Sequence, residues 1–363
     1  MPKKFLVFLI VAQAFLTFFH WLIYKLLTLF FFSFSYQVNR DLLIVLMLLS
    51  LSFLFFSILT HNRDNKLLTF GYVLSGVWIV LGFYFVLASI LALFIFLYFD
   101  VSLTTLGLAS IVFAIVMSIY GLINARIARV VKLTITLPNL PASWKGKTAV
   151  MASDLHLGQV LRNTFAKKVV RMINKLNPDI VFIPGDFYDG VHTDFAELAE
   201  YFKQLKAPLG VYFASGNHEM LAGYGKCEEA IRNSGIKILE DQKVEIDGLQ
   251  IVGLAYKPED DQNVADRLKA LSLDQNKPSI LLKHVPNHFQ PIEQSGINFQ
   301  LSGHSHHGQL WPFRYITHRI WKGFDYGLKK FGKLQVYTSS GVGTWGPPMR
   351  TFTKSEILKI TFQ

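Results

Sequence analysis

The 363-residue sequence predicts a chain in two unlike parts. An all-α transmembrane region of about four helices is expected over residues 1–125. A linker with a first strand follows over 126–146, then an α/β domain over 147–363. Three observations predict this. Residues 1–132 hold nine Lys/Arg and three Asp/Glu, whereas 133–363 hold 27 and 22, and only the second part approaches the roughly 25% charge of a soluble domain. Four stretches of the first part stay apolar over the ~20 residues that a bilayer-crossing helix needs. In the second part, short apolar runs of strand length alternate with amphipathic segments of helix length. A single long soluble domain and a wholly disordered chain are both excluded.

The expected spans are Phe5–Phe34, Leu42–Thr60, Leu67–Phe99 and Leu103–Asn124, separated by polar breaks at 37–41, 61–66 and 100–102. Four spans leave Lys3, Lys4, Arg63, Lys66, Arg126, Arg129 and Lys132 on one side and only Arg40 on the other. The positive-inside rule then places the α/β domain in the cytoplasm; an odd number of spans would reverse that. His20 and Lys25 inside the first stretch allow a tilted span with a snorkelling lysine, or a re-entrant segment. Lys3-Lys4 with the apolar run up to Ala12-Gln13-Ala14 also resembles a signal peptide, but the run continues well past that point. Intramembrane charge marks transport pathways. His20 and Lys25 are too little of it, so the region reads as a multi-pass membrane anchor.

The single cysteine, Cys227, excludes internal disulfides and Cys-based zinc sites. The net charge of +11 divides as +6 and +5 between the two parts, too mild in the second to predict a nucleic-acid partner.

In the second part, Lys132–Leu137 alternates like a strand and stops at Pro138. Thr148–Ala152 is a buried-strand run ending at Asp154-Leu155-His156. A helical period covers Thr164–Leu176. Ile180–Ile183 ends at Gly185-Asp186, a helix near Phe195–Leu205 follows, and Gly210–Ala214 ends at Gly216-Asn217-His218-Glu219. Later, Ser279–Lys283 ends at His284, and Asn298–Leu301 ends at Gly303-His304-Ser305-His306. Five strands thus deliver metal-capable residues at their C-terminal ends, the edge where open α/β sheets form sites. In strand conformation Asp154 and His156 project to one side and reach the same ion. Carboxylates with imidazoles suit divalent Mn, Fe or Zn, and a two-ion site can clamp an in-line displacement at phosphorus.

Together these five blocks resemble the calcineurin-like metallophosphoesterase family, over essentially all of residues 133–363. The branch most resembled is that of bacterial membrane-attached phosphoesterases, through Gly308-Gln309 and Gly343-Thr344-Trp345-Gly346-Pro347-Pro348. His307 stands where that branch usually has glycine, and Glu219 where many relatives have aspartate; both departures bear on substrate preference. The resemblance implies a four-layer αββα sandwich and two divalent metal ions. Asp154, His156 and His306 would hold one ion, and Asn217, His284 and His304 the other, with Asp186 bridging. A metal-activated hydroxide would attack phosphorus, while His218 protonates the leaving alkoxide or stabilises the phosphoryl oxygens, roles suited to an imidazole. Arg350 and His307 are candidate substrate contacts.

The remaining features have plainer readings. His192 and His288 match none of the five blocks and read as polar or substrate-edge residues, and His318 reads as surface. Gly341-Val342-Gly343-Thr344-Trp345-Gly346 spells a dinucleotide fingerprint, but Pro347-Pro348 is poor material for the helix it requires. A loop walling the metal cleft is expected instead. The cationic and aromatic stretch Trp311–Lys333 reads either as a solvated insertion or as a contact with anionic lipid. The expected function is hydrolysis of a phosphodiester, with phosphomonoesters as the variant, on a membrane-associated substrate. The alternatives are a pyrophosphohydrolase of a nucleotide-activated lipid such as UDP-diacylglucosamine, and a metal-bound sensor without catalysis.

Overall fold

The structure, a computed structural model, describes residues 3–31, 35–61, 63–257 and 263–363. Two compact units emerge: residues 1–123 with 346–349, and residues 124–345 with 350–363.

The first unit contains α1 (Lys3–Phe30), α2 (Tyr36–His61), α3 (Lys66–Tyr98) and α4 (Leu103–Ala125). All four are long and apolar enough to cross a bilayer. Residues 32–34, the expected end of the first span, and residue 62 lie outside the described residues. α2 begins six residues before Leu42, because Gln37–Asp41 continue the helix. Hydropathy marks the apolar segment of a helix, not where its hydrogen bonds start. α1 runs unbroken through His20 and Lys25, so no re-entrant turn interrupts it over Lys3–Phe30. Trp78 Nε1 donates to His20 Nε2 (2.9 Å), and His20 Nδ1 faces Leu16 O (2.7 Å). No more than 39% of any of the four apolar windows is buried within the protein.

The second unit is built on two six-stranded mixed sheets. One runs β1 (Ala128–Ile135), β12 (Ser355–Phe362), β2 (Thr148–Met151), β3 (Ile180–Pro184), β4 (Val211–Ala214), β5 (Lys237–Ile238). The other runs β10 (Gly327–Phe331), β11 (Leu334–Thr338), β9 (Phe299–Ser302), β8 (Ser279–Leu282), β7 (Leu249–Gly253), β6 (Gln242–Ile246). Strand alternation separates the layers. Ala149, Met151, Ile180 and Phe182 of the first sheet share a core with Ile280, Leu282, Phe299 and Leu301 of the second. Val150, Val181, Ile183 and Phe213 point the other way, onto α5 (Asn163–Asn174), α6 (Phe195–Glu200) and α8 (Tyr224–Asn233). The outer face of the second sheet, with Val252, Leu281 and Val336, packs on α9 (Val264–Ala270) and α10 (Phe289–Gln294). The layers are therefore helix, sheet, sheet, helix. α5 is amphipathic as its period predicts, burying Ala166, Val169, Val170 and Ile173. The helix expected to reach Leu205 ends at Glu200 and tightens into a 3₁₀ turn over Tyr201–Gln204. β1 begins four residues earlier than Lys132, because it pairs in parallel with β12 from Ala128↔Ser355 onward.

β2, β3 and β4 run parallel to one another, as do β8 and β9. The loops that leave their C-terminal ends carry the candidate ligands.

Candidate metal centre

β2 ends at Met151, so Asp154 and His156 are not on a strand. Both have left-handed φ, 53° and 47°, and so do Asp186, His304 and His306. Alternate left-handed turns, rather than strand alternation, bring Asp154 and His156 to one place. Such backbone is uncommon outside glycine, is tolerated best by Asn, Asp and His, and gathers at functional sites. Glycines beside these residues leave room that no other side chain would. A Cβ on Gly303 would lie 2.1 Å from Asp154 Oδ2, and one on Gly216 would lie 2.2 Å from Asp186 Oδ1.

Asp154, His156 and His306 form one ligand-type cluster; Asp186, His284 and His304 form a second. In the first, His156 Nε2 and His306 Nε2 lie 3.0 Å apart, and His306 Nε2 is 3.5 Å from Asp154 Oδ1. In the second, His284 Nε2 is 3.0 Å from Asp186 Oδ2. Asn217 Oδ1, 2.9 Å from His304 Nδ1, adjoins it. Asp186 Oδ2 is also 3.8 Å from His156 Nε2, which puts this carboxylate between the two clusters. His218, on α7 (Asn217–Ala222), packs edge-on to His156 with ring centres 4.6 Å apart. Its Nδ1 lies 3.0 Å from Asp189 O.

The carboxylates and imidazoles here are ionisable and buried at once, so their electrostatics are strongly perturbed. Burial opposes ionisation of Asp186, yet the charge and hydrogen bond of His284 hold its carboxyl well below the usual range. Burial likewise opposes protonation of His284, but Asp186 raises it to about 9. Burial and the neighbouring His284 charge lower His304 to about 3. Burial raises Asp154.

A divalent cation fits this set. Asp154 Oδ2 is fully buried and has no hydrogen-bond donor among the described residues, a costly state unless a cation meets it. The converging atoms are imidazole nitrogens and carboxylate oxygens, the donors that divalent Mn, Fe and Zn accept. The only thiol, Cys227, lies on the buried face of α8, in the core away from these ligands.

Three supporting residues carry roles that sequence reasoning missed. Glu219 is wholly buried and clasps two ligand loops, accepting from Asp186 N (3.0 Å), Gly216 N (2.8 Å) and Tyr188 N (3.0 Å). Burial and the charge of Asp186 push its carboxyl up to about 7. These three interactions are all with backbone N–H groups, so the side chain holds loop geometry. Asp189 Oδ1 sits 3.2 Å from His156 Nδ1, the carboxylate–imidazole arrangement that orients a ligand. Its position three residues after Asp186 was a signal available in the sequence. Arg350, expected to meet substrate, is fully buried. Its guanidinium donates to His306 O (3.2 Å), Ser340 O (2.6 Å) and Gly343 O (2.7 Å), bracing the His306 loop from below.

His307 lies outside both clusters. It stacks on Tyr326 with ring centres 4.4 Å apart, and its Nε2 is 3.8 Å from Asp325 Oδ2. His318 is exposed but held by the same carboxylate at 2.9 Å. His192 and His288 are not in the clusters either; His288 stands at the N-cap position of α10 with a left-handed backbone. The glycine-rich loop packs against the Asp154 turn, with Val342 N donating to Ser153 O (3.0 Å) and Gly343 N to Asp154 O (2.8 Å). Gln309 binds Trp345 through both its side-chain oxygen (3.3 Å) and nitrogen (2.9 Å), so two motif pieces far apart in sequence clasp each other.

Residues 148–308 match the calcineurin-like phosphoesterase family. The chain is 33% identical over 256 residues to an uncharacterized metallophosphoesterase of Campylobacter jejuni, covering 69% of this chain and 67% of that one. It is 32% identical over 265 residues to an uncharacterized metallophosphoesterase of Aquifex aeolicus, covering 69% and 97%. It is 34% identical over 276 residues to a transmembrane protein with metallophosphoesterase domain of Danio rerio, covering 70% of this chain and 62% of the zebrafish protein, under two thirds of its length.

Proposed function

The chain belongs to the calcineurin-like phosphoesterases, and from that premise we propose that it hydrolyses a phosphodiester with two divalent ions, on a membrane-associated substrate at the cytoplasmic face. The observation that carries this reading is the place of Asp186, with Oδ2 3.0 Å from His284 Nε2 and 3.8 Å from His156 Nε2. A carboxylate between two ligand clusters suits a bridging role. Asp154, His156 and His306 would hold one ion; Asn217, His284 and His304 would hold the other. When bound, such ions supply Lewis-acid charge for the phosphoryl oxygens and a nucleophile from water at neutral pH.

The protein's own groups do the rest. With His218 Nδ1 engaged on the Asp189 carbonyl, Nε2 is the nitrogen left to carry a proton to the leaving oxygen. Glu219 keeps the Asp186 and Asn217 loops in register, and Arg350 fixes the His306 loop; neither touches substrate. Membrane association is supported by the four apolar helices, and only Arg126 and Ile127 separate α4 from β1. Cytoplasmic placement is supported by the Lys/Arg asymmetry of the loops. A pyrophosphate ester is the second reading, favoured by a cavity of about 250 Å³ beside His284 and His304 that Lys257, Arg267 and Lys283 line.

The test is hydrolysis of bis-p-nitrophenyl phosphate by the full chain in detergent, stripped of metal and reloaded with Mn²⁺. Turnover is expected only after reloading. Asp186→Asn should lower it about 10³-fold, the equivalent of several kcal/mol of lost charge stabilisation, and His218→Ala by about 10²–10⁴-fold. A folded, metal-loaded protein without turnover in Mn²⁺, Fe²⁺ or Zn²⁺ overturns the diesterase reading.

A further inference from the structure

α11 (Phe313–Ile320) buries none of its eight residues. Phe313, Ile316 and Ile320 recur at helical spacing along one stripe and are 39%, 53% and 62% exposed. A stripe of this kind ordinarily faces a core. The surrounding stretch, 311–333, carries six Lys/Arg against one acid, Asp325. That acid is buried and held by His318. What this stretch presents outward is therefore apolar side chains flanked by cations.

Both ends of the stretch are fastened to the point where the chain leaves its last apolar helix. Asn124, in the final turn of α4, donates to Thr353 O (2.7 Å) and Arg350 O (3.0 Å). Thr353 Oγ1 donates in turn to Gln309 O (2.7 Å), and Trp311 N to Thr351 Oγ1 (2.8 Å). Two links thus join the end of α4 to the residues that open α11. Beyond α11, Tyr326 OH donates to Glu356 Oε2 (2.8 Å), and Glu356 is the register partner of Arg129 on β1. α11 is thereby tied to residues 124–129, the segment by which the chain leaves its last apolar helix.

We propose that α11 is an interfacial helix that docks on an anionic lipid surface. Phe313, Ile316 and Ile320 enter the headgroup–acyl boundary, and the six flanking cations meet lipid phosphates. The inference rests on reading the four apolar helices as membrane spans and is independent of the chemistry at the metal centre. It also ties the lipid surface to that centre: Trp321, the residue after α11, sets its ring edge-on to His304 at 5.5 Å.

The experiment places an environment-sensitive fluorophore on Ile316→Cys in the full chain, in nanodiscs of phosphatidylcholine with or without phosphatidylglycerol. Cys227 is buried and serves as the unlabelled background. Blue-shifted emission, with quenching by lipids spin-labelled near the headgroup, is expected in the anionic discs and should fade at high salt. In the labelled chain Ile320→Glu should abolish the quenching and Ile320→Leu should retain it. A label that stays in water in both kinds of disc overturns the proposal. So does one shielded in the anionic discs yet not quenched by the spin-labelled lipids, which would mean a protein contact.

Discussion

The helical unit and the α/β unit both expose apolar side chains, but for opposite reasons. In the helical unit exposure runs all round the helices, as at Phe15, Leu48, Leu67 and Ile90, and only narrow seams are packed. There lipid stands in for the solvent, and each helix satisfies its own backbone. In the α/β unit the inner strands β3, β4, β7, β8 and β9 are buried throughout, and large exposed apolar residues gather mainly on α7, α11, the edge strand β10 and the loops near Trp345 and Phe352. Buried charge follows the reverse pattern. Asp154, Asp186, Glu219, Arg350 and Glu356 are all interior to the α/β unit, whereas the helical unit buries only neutral hydroxyls and His20 among its described side chains. An anchor needs length and hydropathy; a metal centre needs charges desolvated at fixed positions.

The largest expected effect tests how far the two regions fail independently. Gly303→Ala would force a Cβ to within 2.1 Å of Asp154 Oδ2, on a loop whose next residue, His304, donates its N–H to the same carboxylate (2.8 Å). Metal content should fall and turnover drop about 10³-fold, as for loss of a ligand. Gly107→Ala makes a comparable intrusion in the helical unit, 2.5 Å from Phe30 Cβ. Its expected cost is about 1–3 kcal/mol of helix packing with metal content unchanged. Measuring bound metal and thermal unfolding of both variants in detergent decides the matter. Loss of metal in the Gly107 variant would break the comparison.

A smaller effect separates ligands from the residues that hold them. Glu219→Gln keeps shape and volume but sets an amide against backbone N–H donors from three residues. A loss of about 10–100-fold in apparent Mn²⁺ affinity is expected, read from turnover against added metal. Asp189→Asn, which alters the carboxylate facing His156 Nδ1, should fall at the lower end of that range. Recovery of wild-type kcat at saturating metal is the mark of a positioning role. A kcat defect that no amount of metal repairs would place these side chains in the chemical step instead.

The same contrast explains what the sequence made legible. The spans were visible because hydropathy is a local property; their helical ends were not, since Gln37–Asp41 are polar and yet helical. Asp154, His156, Asp186, Asn217, His218, His284, His304 and His306 stood out by residue type at the ends of strand-like runs, and the structure brings all eight together. Glu219, Asp189 and Arg350 were misread or missed for one physical reason: their work is done on backbone atoms or ring nitrogens of other loops. No spacing rule encodes those partners. β12 escaped for a similar reason, being defined by a parallel partner, β1, more than two hundred residues earlier.

The smallest effect lies in the helical unit. His20 is fully buried, with Nδ1 directed at Leu16 O and Nε2 accepting from Trp78 Nε1. A hydrogen bond between spans is worth about 0.6–2 kcal/mol, because the unfolded chain in lipid also finds partners. His20→Phe removes the acceptor and leaves the Trp78 N–H facing an apolar ring. The helical unit should therefore unfold at slightly lower denaturant, while hydrolysis of bis-p-nitrophenyl phosphate changes by less than about 2-fold, the catalytic groups being elsewhere. A fall in turnover beyond that, at unchanged metal content, would mean that the helices set the working geometry of the centre and are more than an anchor.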